Sequence, residues 1–182
     1  MITLSSHKSY GPKGIGALII DEDIQLQPLL YGGGQEFGYR SGTVPLPLIV
    51  GFSKAIELAM KNQERNSIQL ANLRDTLMNG LLKNNSKILI NGSIIHRLPH
   101  NLNLTVMDVN GSKFHKYIKH HIACSSGSAC SNGEVSHVLT SIGRSFKEAE
   151  SSVRLSIGLT TTNEEIEKSI DVITETINKL RK

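Results

Sequence analysis

The stretch from Thr162 to Leu180 constrains the fold most. Ile166, Ile170, Ile173, Ile177 and Leu180 recur at helical spacing and mark one apolar stripe. Thr162 with Glu165 three residues later is a capping-box signal for the start of that helix. A helix apolar on one side only has to lay that side on another element. Leu102-Asn103-Leu104-Thr105-Val106 and Val153-Arg154-Leu155-Ser156-Ile157 alternate apolar with polar, as strands with one buried face do. The second of these sets Arg154 and Ser156 on one face.

The rest of the chain follows the same alternation of elements. Residues 1–45 are rich in glycine and lack helical periodicity; within them Ile15–Ile20 reads as a buried strand, and Gln27–Tyr31 as a second short one. Pro45 and Pro47 open a helical stretch over about 46–83, one long helix or one broken around Asn62–Asn66, because proline is tolerated in a first turn. Ile88-Leu89-Ile90 is a strand, Ser112–Lys119 a short helix, residues 124–133 a loop of small polar residues, and Val135–Ile142 a helix stopped by Gly143. Strands alternating with helices give an α/β or α+β class. The domain reading is 1–45, a connecting helix 46–83, and a C-terminal domain 84–182.

Composition narrows the function classes. Trp is absent and aromatics are 4%, so the core has to be built from Ile, Leu, Val, Ala and Met. The net charge of +4 comes from dispersed residues, without the basic stripe that nucleic-acid binding uses. No apolar run is long enough to span a membrane, and the start of the chain lacks signal-peptide character. Two cysteines make no disulfide framework, so the expected compartment is the cytoplasm.

Four segments hold residues with chemistry. Ser5-Ser6-His7-Lys8-Ser9-Tyr10-Gly11-Pro12-Lys13-Gly14-Ile15-Gly16 puts a lysine beside a histidine and hydroxyls, before a glycine turn. Glycines let backbone N–H groups approach a phosphate, and a Schiff-base lysine needs a desolvated or cationic setting. Residue chemistry alone still favours a surface lysine beside a turn. Gly32-Gly33-Gly34-Gln35-Glu36-Phe37-Gly38-Tyr39-Arg40-Ser41-Gly42-Thr43 reads by itself as a glycine loop. Cys124-Ser125-Ser126-Gly127-Ser128-Ala129-Cys130 offers a thiol among small residues, where a reactive cysteine can be reached, although packing is the usual role of an isolated cysteine. A zinc site from His120, His121, Cys124 and Cys130 lacks ligand spacing, so no metal is expected. Arg154 lies in Ser152-Val153-Arg154-Leu155-Ser156-Ile157-Gly158, where an arginine is usually solvated or ion-paired.

Together these segments resemble, in order, the signatures of cysteine desulfurases, the NifS-like enzymes of the class V aminotransferase-type, fold-type I group that uses pyridoxal 5'-phosphate (PLP). The resemblance runs over nearly the whole chain and implies the C-terminal part of a PLP-binding large domain (1–45) followed by the small α+β domain. It implies that Lys8 carries PLP covalently, that Ser5 and His7 contact its phosphate, and that Thr43 reaches the PLP phosphate of the partner subunit in a homodimer. The resemblance further implies that Cys130 takes sulfur from L-cysteine as a persulfide, leaving L-alanine, and that Arg154 clamps the substrate carboxylate. The sulfur then passes to an acceptor such as an iron–sulfur scaffold protein. Cys124 falls where the family requires no thiol and is read as structural. Leu159 stands where the family often has arginine and inherits no role.

In the family a large segment upstream of the lysine supplies the histidine stacked on the cofactor ring, the aspartate paired with its nitrogen, and a phosphate-binding turn. These 182 residues are therefore expected not to turn over cysteine alone. A truncated gene, a split enzyme with a separate N-terminal half, and a piece of a longer polypeptide all fit. The alternatives are a non-catalytic sulfur-relay or interaction module retaining Cys130, or another class V enzyme such as an aminotransferase or selenocysteine lyase.

Overall fold

A computed structural model describes residues 1–125 and 135–181, which divide into two compact units, Met1–Gln63 and Glu64–Lys182. Strands β1 (Ile2–Ser5) and β2 (Gly16–Ile19) of the first unit form an antiparallel hairpin with Ile2 opposite Ile19 and Ser5 opposite Gly16. Its helix α1 (Leu46–Lys61) has Pro45 at the N-cap and Pro47 in the first turn, as the prolines require. Phe52 is the one buried apolar side chain among residues 1–63. The β2 strand was expected to be buried. Instead Leu18 and Ile19 remain 46% and 53% exposed, because β1 is the single strand paired with it and no layer covers the hairpin among the described residues. Gln27–Tyr31 is not a strand: Pro28 removes a ladder donor, and Leu29 and Tyr31 point to solvent.

In the second unit α2 (Gln63–Asn84) follows a break at Asn62, so the long helical stretch is two helices. Strands β3 (Ile88–Ile90), β4 (Asn101–Val106) and β5 (Ser152–Ser156) make an antiparallel sheet with β4 in the middle. Leu102, Leu104, Val106, Val153 and Leu155 face one side and are buried there with Leu73, Leu77 and Leu81 of α2. The same core takes Phe114 and Ile118 of α3 (Gly111–Ile118) and Ile166, Ile173 and Ile177 of α6 (Asn163–Leu180). Gly80 permits α2 and α6 to close up, since a Cβ there would lie 2.4 Å from Ile170 Cδ1. The expected capping box of α6 forms: Thr162 Oγ1 accepts from Glu165 N and Glu165 Oε2 from Thr162 N. Helix α4 (His137–Ser141) ends at Gly143, whose φ of 92° suits glycine. Helix α5 (Phe146–Glu150) was not anticipated, although Ser145 and Glu148 carry the same capping-box signature.

His115 on α3 sits half-buried with Nε2 3.1 Å from the Ser152 carbonyl oxygen. Burial lowers its pKa from the usual imidazole value, outweighing the raising effect of that hydrogen bond.

Two outcomes are expected. Ile173→Ala, at a fully buried position, should cost about 3 kcal/mol in urea unfolding. For His115, a lowered folded-state pKa means that the unfolded chain takes up the proton first as pH falls. Stability should therefore be full above about pH 6.5 and decline below it, by less than the ~1.4 kcal/mol per pH unit of a whole proton because the ring is partly solvated. His115→Gln should flatten that decline.

Candidate active site

The turn that carries Lys8 is built from the hairpin outward. β1 delivers Ser5 to the cap of a 3₁₀ turn, Ser6–Ser9, and Tyr10 closes it in the left-handed region at φ 62°. An aromatic residue at positive φ stores about 1 kcal/mol or more of backbone strain, next to the lysine. Ser6 N donates to Ile15 O at 3.1 Å and Gly11 N to Ser6 O at 3.0 Å, so both ends of the turn are tied. Ser6 is fully buried, and its Oγ has no partner among the described residues.

Glycines decide how closely this turn sits on α1. A Cβ on Gly11 would fall 2.2 Å from Ser6 Oγ and 3.2 Å from Ala55 Cβ. One on Gly51, inside α1, would fall 3.1 Å from Pro12 Cγ. The turn is thus wedged against the helix, while Ser5, His7 and Lys8 all face outward. Ser5 makes no side-chain cap bond, which leaves its hydroxyl available to a ligand.

The glycine loop of the same unit is tied to itself. Gly42 N donates to Gln35 Oε1 at 2.9 Å, Gly34 N to the Oγ of buried Ser41 at 3.3 Å, and Arg40 Nη1 to Ser41 O at 3.0 Å. Gly42 sits at φ 117°, a conformation open to glycine, and hands the chain to an exposed Thr43 just before α1.

Arg154 belongs to the second unit, where β5 turns its side chain to the exposed face. Ser125 N donates to Arg154 O at 3.2 Å and Arg154 N to Ser125 O at 2.8 Å, a two-residue bridge that fixes the backbone at the arginine. Leu159 packs against the core, an apolar role consistent with its inheriting none in the site. Cys130 lies outside the described residues. Cys124 is half-buried against the core, and burial raises its thiol pKa, so it is protonated and weakly nucleophilic at neutral pH. Ser5, His7, Lys8 and Thr43 therefore share one unit, and Arg154 stands in the other. Sequence reasoning missed the role of Ser6 and Gly11 as the wedge under Lys8, though the small residues flanking the lysine were its signal.

The aminotransferase class-V family matches residues 1–168, and the chain belongs to that family. It is 40% identical over 185 residues to the cysteine desulfurase IscS of Methylobacillus flagellatus, covering 100% of this chain and 45% of that protein. It is 42% identical over 185 residues to the mitochondrial cysteine desulfurase of Arabidopsis thaliana, covering 41% of it. The solved NifS-like protein from Rickettsia africae superposes with a TM-score of 0.85 at 34% identity, over 97% of this chain and 47% of that one. The chain thus spans less than half the length of these relatives, matching their C-terminal portion, and its mixed helix-and-sheet architecture is that of the fold-type I PLP enzymes.

The wedge is tested by a double-mutant cycle. Ser6→Ala should leave stability unchanged or raise it slightly, since it removes a buried hydroxyl without a partner. Gly11→Ala should destabilise by about 1–3 kcal/mol. Adding Ser6→Ala to Gly11→Ala should recover part of that loss, read from denaturant midpoints.

Proposed function

We propose that the chain carries the cofactor lysine, the nucleophile and the carboxylate clamp of a PLP-dependent cysteine desulfurase. The observation that carries this reading is likeness, along the whole chain, to proteins named cysteine desulfurase at 40% and 42% identity. The turn at Lys8 fits the cofactor: an exposed amine stands beside the free Ser5 hydroxyl and the His7 ring, on a backbone held rigid by Ser6 and Gly11. Lys8 would hold PLP covalently, with Ser5 and His7 on its phosphate and Thr43 serving the phosphate of the partner subunit in a homodimer. When bound, the cofactor supplies an electron sink at the substrate Cα.

The remaining work falls to this chain's own side chains. Arg154 orients the carboxylate of L-cysteine through its planar, bidentate guanidinium. Lys8 Nζ, freed once the substrate amine has taken its place, would take the proton from Cα. Cys130 Sγ, as thiolate, forms a bond to the substrate sulfur while the sulfur–Cβ bond breaks. The bonding pair stays on carbon, which takes up protons to become L-alanine, and Cys130 keeps the sulfur as a persulfide. That sulfur goes to an acceptor such as an iron–sulfur scaffold protein.

The proposed division is a large-domain remnant (1–45), a long connecting helical stretch (46–83) and a small domain (84–182); the buried core draws on Leu70, Leu73, Leu77 and Leu81 of the connecting stretch as well as on the small domain. The exposed apolar residues of the hairpin, Ile2 and Ile19 on one face and Leu18 on the other, are read as surfaces that the rest of the large domain covers, whether in the same polypeptide or as a separate N-terminal half. A cytoplasmic location is part of this proposal; no helix among the described residues is long and apolar enough to cross a membrane.

The test is alanine and persulfide formation from L-cysteine with PLP, once the large-domain half is supplied. Activity is expected in the wild type and only background in Lys8→Ala and Cys130→Ser. The 182-residue chain alone should show no turnover. Full alanine release by Cys130→Ser would instead assign a different class V activity.

A further inference from the structure

The outer face of the three-stranded sheet carries a row of polar side chains joined by hydrogen bonds through Asn91. Arg154 exchanges both backbone bonds with Ser125, so its N–H and C=O point away from β4. Asn103, its Cα partner on β4, accepts at its backbone oxygen from Asn91 N at 2.9 Å on the other side. Arg154 and Asn103 are therefore a non-hydrogen-bonded pair, the kind in which antiparallel side chains come closest. Both project to the face opposite Leu102, Leu104, Val153 and Leu155.

The amide orientations along this row follow from chemistry. Arg144 Nε donates to Asn91 Oδ1 at 2.6 Å, and a guanidinium has no acceptor, so the oxygen of Asn91 has to face it. Thr105 Oγ1 lies 3.1 Å from the same oxygen. Asn91, which is buried, then turns its amide nitrogen to Asn103, whose Oδ1 accepts at 2.7 Å. A flipped Asn103 would set two N–H donors against each other. The amide nitrogen of Asn103 is thus directed away from Asn91 and carries donors only, on the same sheet face as its cross-strand partner Arg154, whose guanidinium is also donors-only.

Resting on the proposed role of Arg154, we propose that Asn103 is a second ligand of the amino-acid α-carboxylate. Its amide is aimed by the Arg144–Asn91 relay, and it donates to one carboxylate oxygen while Arg154 holds the carboxylate as a fork. Neither residue offers an acceptor to the anion, so the pair selects carboxylates over amines. Asn91 and Arg144 act through Asn103 and are positioning residues.

The experiment is an NMR titration of the ¹⁵N-labelled 182-residue chain with L-alanine, with ethylamine, the same skeleton without its carboxylate, as control. The Asn103 side-chain amide and the Arg154 Nε–H signals should move together with one midpoint, and ethylamine should move neither. Asn103→Ala should weaken binding about tenfold, the usual size of one hydrogen bond to an ion. Asn103→Asp keeps the acceptor for Asn91 and the side-chain shape but replaces the donor by an anionic oxygen, so it should abolish the Arg154 shift. Movement of Arg154 alone, or an unchanged midpoint in these variants, overturns the role of Asn103 and leaves the clamp standing. Absence of any shift at either residue overturns both.

Discussion

The register between β4 and β5 is the constraint on which the second unit depends. Leu102 opposite Leu155 and Leu104 opposite Val153 put one row of side chains on the helices. The residues between them, Asn103 and Arg154, are thereby forced onto the other face. A slip by one residue would expose the leucines and bury the arginine, so the core that stabilises the sheet also fixes the aim of Arg154. The arginine needs no contact of its own to be placed. Its own N–H and C=O are held by the Ser125 bridge, and Asn103 stands opposite it on β4 as a non-hydrogen-bonded partner.

The two units differ in what holds them. The second buries a continuous cluster from Leu70 to Ile177, drawn from three helices and three strands. The first has a single buried apolar residue, Phe52, and keeps its hairpin exposed. Its Lys8 turn is held by close backbone approach at Gly11 and Gly51 and by the buried Ser6, rather than by hydrophobic area. Geometry so defined needs a covered sheet to be durable, which agrees with a chain spanning less than half of its relatives.

Much of this was legible from local pattern. The period of α6, its Thr162–Glu165 cap and the alternation in β4 and β5 each depend on neighbours within a few residues. Arg154 and Ser156 do share the exposed face that alternation assigned to them. Features resting on distant partners were not legible. Strand β1 has weak local character and exists through its pairing with β2. The Gln27–Tyr31 strand failed because the run Leu29-Leu30-Tyr31 finds no ladder partner and Pro28 removes a donor. Asn91 joins Asn103, Thr105, Arg144 and Ser152, positions far apart in the chain that only the fold assembles. The α5 cap, by contrast, was a local signal that went unread.

The central claim is that sulfur leaves the substrate for Cys130 and not for the other thiol of the chain. It is tested most directly by peptide mass mapping after the complete enzyme, loaded with PLP, has met L-cysteine and been alkylated. One added sulfur atom on the peptide holding Cys130, with Cys124 unmodified by sulfur, is the predicted result. Sulfur on Cys124, or alanine formed with no sulfur on Cys130, would contradict the account.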